Sequence, residues 1–257
     1  MSPIHQSAAI GFDRGGADYE RGRPGYPEAA IEILARELGL GPGKRIVDLA
    51  AGTGKLTRAL VPLGADLIAV EPVAGMRAQL ERAVPGVEIL DGTAERIPLA
   101  AATADAVTVA QAFHWFDAPV AAAEIHRVLV PSGGLAVVRN RWDRSVPWVD
   151  EMQALIGERR PPDHPSGTRT GWRDQVQATG LFTPWSEATV DNEVRADLDT
   201  LLAREASISF VAALPALERE RLLDDLRQLL QRHGIIAGEP LIMPHRTQVL
   251  WCRRRDG

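Results

Sequence analysis

The segment from Asp48 to Gly54, DLAAGTG, combines one acidic side chain with a run of small residues. It continues the strand-like run that starts at Ile46 and precedes a helix-compatible run that begins at Lys55. Small residues let a ligand approach the backbone closely, and a carboxylate accepts hydrogen bonds. The segment is therefore a candidate ligand-binding loop at the end of a β-strand.

Two known loop patterns fit this segment poorly. A phosphate-binding loop requires a glycine five positions before its Gly-Lys pair and a serine or threonine after the lysine, but this chain has Leu49 and Leu56 there. A dinucleotide-binding loop requires a third glycine where this chain has Thr57, and that glycine permits close packing of helix on strand. A glycine-rich turn that only joins a strand to a helix stays open as an alternative.

The composition limits the classes of partner. A length of 257 residues suffices for one large α/β domain or two small ones. The net charge of −5 disfavours DNA or RNA, because a broad nucleic-acid surface normally carries a basic excess. The basic run Arg253–Arg255 is too short to reverse that balance. We therefore expect no nucleic-acid partner.

Targeting and metal-binding signals are absent from the sequence. The N-terminus has no basic segment followed by an apolar run, and no stretch of about 18 apolar residues exists that would span a membrane. Cys252 is the only cysteine, so an internal disulfide is excluded and no zinc-type spacing of cysteine and histidine exists. We expect a cytoplasmic protein with neither a membrane partner nor a bound metal.

Strand-like and helix-like runs alternate along the chain. Strands are predicted at 45–49, 66–71, 87–92, 104–112, 135–140, 185–190 and 246–254, helices at 28–40, 56–63, 74–84, 118–130, 148–158, 171–182, 197–212 and 215–232, and a turn at Pro131–Gly134. Apolar strands separated by helices predict a doubly wound, mostly parallel sheet with helices on both faces. The alternation becomes irregular after Asn140.

The acidic residue and the small residues at alternate positions, Asp48, Ala50, Gly52 and Gly54, resemble the first motif of the class I S-adenosylmethionine-dependent methyltransferases, D/E-x-G-x-G-x-G. The first glycine of that motif is Ala50 here. Because alanine carries a Cβ, we expect a negative φ at this position.

The resemblance covers residues 15 to 140 well and the rest in outline, and it is strongest to the small-molecule subgroup of the trans-aconitate and ubiquinone-biosynthesis type. It implies a seven-stranded sheet with an antiparallel last strand and C-terminal helical additions. It also implies one domain over residues 1–257, with an N-terminal lid at 1–27, a cofactor-binding core at 28–140 and a substrate side at 141–257. The implied cofactor is S-adenosylmethionine, with S-adenosylhomocysteine as product.

Candidate cofactor contacts follow the strands, because ligands of doubly wound sheets bind beyond the carboxyl ends of the strands. Asp48 is a candidate partner of the cofactor's ammonium group. Glu71 ends the second strand, 23 positions after Asp48, and can accept both ribose hydroxyls. The alternative for Glu71 is a plain charge at a helix N-terminus. The resemblance places Met76 against adenine or ribose, although a core methionine is an equal alternative.

Three further segments complete the implied site. In the third loop, Thr93 stands where the family usually has aspartate, Ala94 would offer its backbone N–H and Glu95 would reach the exocyclic amine of adenine. In the fourth loop, Gln111 stands where relatives contact the methionine end of the cofactor. Before the first helix, the resemblance implies that two side chains close over the methionine carboxylate, namely Tyr19 and Arg23.

The expected reaction is in-line methyl transfer to a small molecule, with oxygen, nitrogen and carbon nucleophiles all open. A carboxylate acceptor needs no general base, whereas a phenol or hydroxyl would benefit from His114, whose ordinary pKa is about 6.5. An interior histidine without a catalytic role is the alternative for His114. Alternatives for the whole chain are a cyclisation or other non-transfer reaction on the same fold, a non-catalytic binding protein and a macromolecule methylase.

Overall fold

A computed structural model of the chain describes residues 24–161 and 171–256. The strands are β1 (Arg45–Leu49), β2 (Asp66–Val70), β3 (Glu88–Leu90), β4 (Ala104–Ala110), β5 (Leu129–Trp142), β6 (Ser186–Ala196) and β7 (Leu241–Arg253). The helices are α1 (Glu28–Leu38), α2 (Lys55–Leu60), α3 (Ala74–Ala83), α4 (Ala118–Val128), α5 (Pro147–Gly157), α6 (Gly171–Ala178), α7 (Leu198–Ala206), α8 (Ser209–Ala212) and α9 (Ala216–Arg232). Short 3-10 turns lie at Val61–Leu63 and Phe113–Trp115.

The seven strands form one sheet in the order β3-β2-β1-β4-β5-β7-β6. The pairs β1–β2, β2–β3, β1–β4 and β4–β5 are all parallel. The chain builds outward from β1 to β3 and then returns to the other side of β1 with β4. The strand order therefore reverses between β1 and β4. The predicted seven-stranded, mostly parallel α/β sheet is confirmed.

The described residues fall into two compact units. The sheet unit comprises 25–140, 171–190 and 247–256, and the helical unit comprises 24, 141–161 and 191–246. The core of the helical unit is formed by side chains of α5, α7, α9 and the start of β7, among them Met152, Leu201, Leu226 and Met243. None of the helices within the described ranges is long and apolar enough to cross a membrane.

The core of the sheet unit lies on both faces of the sheet. Val47 and Ile46 are neighbours on β1, yet they belong to separate buried clusters, because successive strand residues point to opposite faces. Helix α4 packs into the cluster that contains Val47, and α1 packs into the other. Gly134 permits this close approach of α1, since a Cβ there would collide with the side chain of Leu38.

Two sequence predictions about elements are wrong. The turn predicted at Pro131–Gly134 lies inside β5, where the register against β4 shifts between Ala104 and Ala106 and Ser132 has a φ of 61°. The turn-forming residues are therefore accommodated by a local irregularity in the pairing of β5 with β4, and the strand continues through them. The single helix predicted at 197–212 is divided into α7 and α8, because Ile208 between them has an extended backbone.

Candidate functional site

The candidate site lies at the carboxyl ends of β1 and β4, where the strand order reverses and where doubly wound folds bind ligands. Leu49 of β1 lies beside Val109 of β4. Just beyond this pair, each strand leads to a residue with a left-handed backbone, Ala50 with a φ of 55° and Gln111 with a φ of 57°. Such conformations cost a non-glycine residue about 1–3 kcal/mol and cluster at functional sites.

The expectation of a negative φ at Ala50 is wrong. The next residue, Ala51, donates its backbone N–H to the carbonyl of Val70 at 3.2 Å. This bond draws the loop from the end of β1 towards the end of β2, so the backbone must turn sharply at Ala50. The strain is therefore imposed by the neighbouring strand.

Glu71 joins the first two loops of the site. Its Oε2 accepts the backbone N–H of Gly52 at 2.9 Å, and its Oε1 accepts the N–H of Val73 at 2.9 Å. The side chain is only 4% exposed, and this burial raises the pKa of Glu71, while the two hydrogen bonds oppose the rise. Because Val73 is the N-cap of α3, Glu71 serves the helix N-terminus and the glycine loop at once.

The two loop glycines have different surroundings. Gly52, with a φ of 59°, faces open space apart from Met76, whose sulfur would lie 3.9 Å from an added Cβ. Gly54, with a φ of 83°, lies against α3, and an added Cβ would be 3.0 Å from Leu80. The backbone at Gly52 can therefore be approached by a ligand, whereas Gly54 also permits close packing of the loop on α3.

Asp48 points into the protein. It is 1% exposed, and its Oδ2 accepts the hydroxyl of Thr57 at 2.5 Å while Oδ1 lies 3.4 Å from the hydroxyl of Thr108. Burial raises the pKa of Asp48 from 3.8 to about 7. In the sequence, Thr57 is notable only for replacing a glycine of the dinucleotide-binding pattern, but in the structure it makes the shorter of the two side-chain hydrogen bonds to this carboxyl group.

Arg77 is a site residue that the sequence analysis missed. Its guanidinium donates to the carbonyls of Glu71 and Pro72 at 2.8 and 2.7 Å, and to Oδ2 of Asp91 at 3.1 Å. These contacts tie the end of β2 to the residue that follows β3. The signal available in the sequence was an arginine one residue after Met76, on a helix that starts beside the acidic residue.

The third loop, residues 91–99 after β3, contains a turn that is closed by backbone hydrogen bonds. Thr93 and Arg96 exchange backbone hydrogen bonds of 3.3 and 3.2 Å, and Ala94 between them is 3% exposed. The carboxylate of Glu95, predicted to meet adenine, accepts the backbone N–H of Asp117 at 3.1 Å. In this structure Glu95 therefore links the third loop to the fourth.

Helix α4 holds the third loop in place through Glu124 and Arg127, which the sequence analysis also missed. Glu124 accepts the backbone N–H of Ile97 at 3.0 Å, and Arg127 donates to the carbonyls of Ile97 and Leu99 at 3.0 and 2.8 Å. The two side chains also bind each other at 2.8 Å, at an i, i+3 spacing that is visible in the sequence.

Arg127→Ala should lower the free energy of unfolding by about 1–3 kcal/mol, since it removes the side-chain donor to the Leu99 carbonyl, one of the two donors to the Ile97 carbonyl and the ionic partner of Glu124. Urea unfolding followed by circular dichroism measures the change. Arg82→Ala, on the exposed side of α3, is the matched control and should change the stability by less than about 0.5 kcal/mol. Equal losses in both variants would remove the assigned role of Arg127.

The fourth loop places Gln111 and His114 at the end of β4. The Nε2 of Gln111 donates to the carbonyl of Asn140 at 3.0 Å, so the side chain folds onto the end of β5. His114 is half-buried, with its ring 4.8 Å from that of Trp115, whereas Phe113 is buried against Trp172. Of the predicted contacts, Tyr19 and Arg23 lie outside the described residues.

The chain is similar in sequence to proteins named as methyltransferases. Residues 47–137 match the family described as a methyltransferase domain. An uncharacterized methyltransferase of Mycobacterium bovis is 38% identical over 253 residues, covering 96% of this chain and 97% of the relative. An uncharacterized methyltransferase-like protein of Schizosaccharomyces pombe is 34% identical over 226 residues, covering 84% and 85%.

Solved structures show the same fold. A protein of Anaeromyxobacter dehalogenans, proposed as a type II methyltransferase, superposes with a TM-score of 0.66 at 26% identity, covering 90% of this chain and 96% of that one. Phosphoethanolamine N-methyltransferase 2 of Haemonchus contortus, solved with S-adenosylhomocysteine, gives a TM-score of 0.52 at 15% identity, covering 98% and 57%. At that identity the likeness concerns the fold alone.

Proposed function

The chain belongs to the class I S-adenosylmethionine-dependent methyltransferases, and from this premise we propose that it methylates a small-molecule acceptor on oxygen, nitrogen or carbon. Of the two products, S-adenosylhomocysteine and the methylated acceptor, the first is common to the family. The acidic net charge supports a small acceptor over a nucleic acid.

The contact between Glu71 and Gly52 is the observation that carries this proposal. It brings a carboxylate and an accessible glycine backbone to one point beyond the ends of β1 and β2. A carboxylate held in this way can accept the hydroxyls of a ribose, and the open side of Gly52 leaves room for the ligand. These residues fit the adenosine-containing cofactor of the family.

Further cofactor contacts are proposed for the residues that surround this point. Asp48 would favour the cofactor's ammonium group electrostatically, since its buried carboxyl lies in β1, two residues before the loop residue Ala50. The proposed adenine side consists of Met76, Thr93, Ala94 and Glu95, and the proposed methionine side consists of Tyr19, Arg23, Ala50, Gly54 and Gln111. We assign cofactor binding to residues 28–140, a lid to 1–27 and acceptor binding to side chains within 141–257.

When bound, S-adenosylmethionine supplies an electrophilic methyl group on its sulfonium sulfur. The protein's task is to hold the acceptor's nucleophilic atom in line with the S–CH₃ bond and to exclude water. Positioning of this kind contributes roughly 7–11 kcal/mol in well-oriented reactions. An acceptor that carries a proton at neutral pH must lose it during the transfer, and His114 at the end of β4 is the proposed base.

The proposal is tested by calorimetric titration with S-adenosylmethionine and S-adenosylhomocysteine, followed by incubation with a panel of phenols, carboxylates and amines. Mass spectrometry should detect S-adenosylhomocysteine together with an acceptor that is heavier by one methylene. Turnover of an acceptor without S-adenosylhomocysteine would indicate a cyclisation or another non-transfer reaction. Failure to bind either cofactor form would refute the proposal.

His114→Ala should lower kcat for a phenol or hydroxyl acceptor by about 10²–10⁴, the usual contribution of general base catalysis, while cofactor affinity stays within about twofold. A carboxylate acceptor should be unaffected, because it needs no base. The initial rate of S-adenosylhomocysteine release across pH 5.5–9 measures the effect, and His233→Ala in the helical unit is the matched control. An unchanged rate for the hydroxyl acceptor would remove His114 from the mechanism.

A further inference from the structure

One side chain of the sheet unit, that of Asn140, binds two other residues of the same unit, and all three lie next to a position where the chain passes from one unit to the other. The chain crosses from one unit to the other after Pro24, after Asn140 and after Arg246. Within the sheet unit, the Nδ2 of Asn140 donates to the carbonyl of Gly25 at 2.9 Å, and its Oδ1 accepts the hydroxyl of Thr247 at 2.6 Å. Asn140 thus binds Gly25 and Thr247, which are the first residues after two of these crossings. The remaining crossing follows Asn140 itself.

The node formed by Asn140, Gly25 and Thr247 requires an amide side chain at position 140. The Gly25 carbonyl is an acceptor and needs the N–H₂ end of the side chain, which leaves the oxygen end to accept the Thr247 hydroxyl. An aspartate would keep the oxygen but lose the donor, and an alanine would lose both. The two contacts can therefore be removed separately by substitution.

The backbone of the same residue reaches the candidate site. The carbonyl of Asn140 accepts the Nε2 of Gln111 at 3.0 Å, and the backbone N–H of Gln111 donates to the carbonyl of Val138 at 3.1 Å. Both bonds hold Gln111 to the end of β5 while its backbone keeps a φ of 57°. A strained residue persists only where its surroundings fix it, and here β5 does so.

We propose that Asn140 is a positioning residue of the methyltransferase, which fixes Gln111 and the entry to α1 so that the methionine side of the cofactor site is preformed. The proposal rests on the proposed function, because Gln111 is a cofactor contact only in that context. Asn140 acts through Gln111 and Gly25 and needs no contact of its own with the cofactor.

The first test measures the affinity for S-adenosylmethionine and S-adenosylhomocysteine in Asn140→Asp and Thr247→Val, by calorimetry on the full chain. Each variant should bind both forms about 5–10-fold more weakly, the usual effect of losing one hydrogen bond at a fixed site. Using both forms separates loss of positioning from attraction of the new carboxylate to the sulfonium, which would affect only S-adenosylmethionine. Thr247→Ser keeps the hydroxyl and should restore the affinity.

The matched control is Thr189→Val, the same chemical change at an exposed position of β6, which should bind like the wild type. Gln111→Ala provides the second test, since it removes the contact with the Asn140 carbonyl, and in its background Asn140→Asp should weaken binding by clearly less than in the wild type, leaving only the part that runs through Gly25. If the loss is undiminished in that background, the effect does not run through Gln111 and the proposal is overturned.

The proposed function and the positioning role of Asn140 are refuted by different results. A wild-type protein that binds neither cofactor form refutes the proposed function. A wild-type protein that binds normally, with Asn140→Asp and Thr247→Val equal to it, refutes only the role of Asn140. Thermal unfolding of each variant checks whether the fold is retained, and a Thr247→Ser variant that binds as weakly as Thr247→Val would also overturn the proposal.

Discussion

Glu71→Ala should weaken S-adenosylmethionine binding by about a hundredfold or more. The carboxylate is buried, bridges the loop after β1 to the N-terminus of α3, and is the proposed acceptor of two ribose hydroxyls. Hydrogen bonds to a charged group contribute about 1.5–3 kcal/mol each, and about 1.4 kcal/mol corresponds to a tenfold change in affinity. The substitution also leaves the N–H groups of Gly52 and Val73 without their acceptor.

Calorimetric titration measures this loss, and two variants control it. Glu88→Ala removes an exposed carboxylate from the adjacent strand β3 and should bind like the wild type. Glu71→Gln keeps one acceptor oxygen but turns an N–H₂ group towards a backbone N–H, so an intermediate loss is expected. A folded Glu71→Ala protein with wild-type affinity would show that the first two loops do not hold the cofactor.

Asp48→Asn should change the pH dependence of stability. Burial raises the pKa of Asp48 to about 7 in the folded protein, against 3.8 for the ordinary side chain. The folded state therefore binds a proton that the unfolded state releases, and the stability falls as the pH rises from about 4 to about 7. Above pH 7 the carboxyl is charged in both states and its penalty stays constant.

The expected loss of stability depends on the pH range over which the two proteins are compared. Each pH unit below the folded pKa corresponds to about 1.36 kcal/mol, so the wild type should lose roughly 2–3 kcal/mol relative to Asp48→Asn between pH 5 and pH 8.5. Urea unfolding of the cofactor-free protein at the two pH values measures the difference. The variant should gain stability at pH 8.5 and yet bind S-adenosylmethionine more weakly, because it removes the proposed partner of the ammonium group.

A comparison with an exposed aspartate separates this carboxyl from the general titration of the chain. Asp225→Asn changes an exposed side chain on α9 and should keep the pH dependence of the wild type. If Asp48→Asn and Asp225→Asn lose stability in parallel between pH 5 and pH 8.5, Asp48 is not protonated in the folded protein at neutral pH. Unaltered cofactor affinity in Asp48→Asn would remove its proposed role towards the ammonium group.

The sequence by itself determined the order of the seven strands, their alternation with helices in the first half of the chain and the end of β1 at Leu49. These features depend on local patterns, namely apolar runs, helical spacing and small residues at turns, which act over a few positions of the chain. The proximity of Glu71 to the loop of Gly52 also followed, because the carboxyl ends of parallel neighbouring strands lie at one edge of the sheet. The fold and the place of the candidate site were thus predictable.

Only the tertiary structure decided how the side chains of that site are used. Ala50 takes a positive φ because the next residue, Ala51, donates its N–H to the carbonyl of Val70 in β2. Asp48 points inward to Thr57, and Glu95 accepts the N–H of Asp117. The node at Asn140 joins residues 115 and 107 positions away in the chain. Such contacts arise from packing between distant segments, and no local pattern in the sequence encodes which partner each polar group will meet.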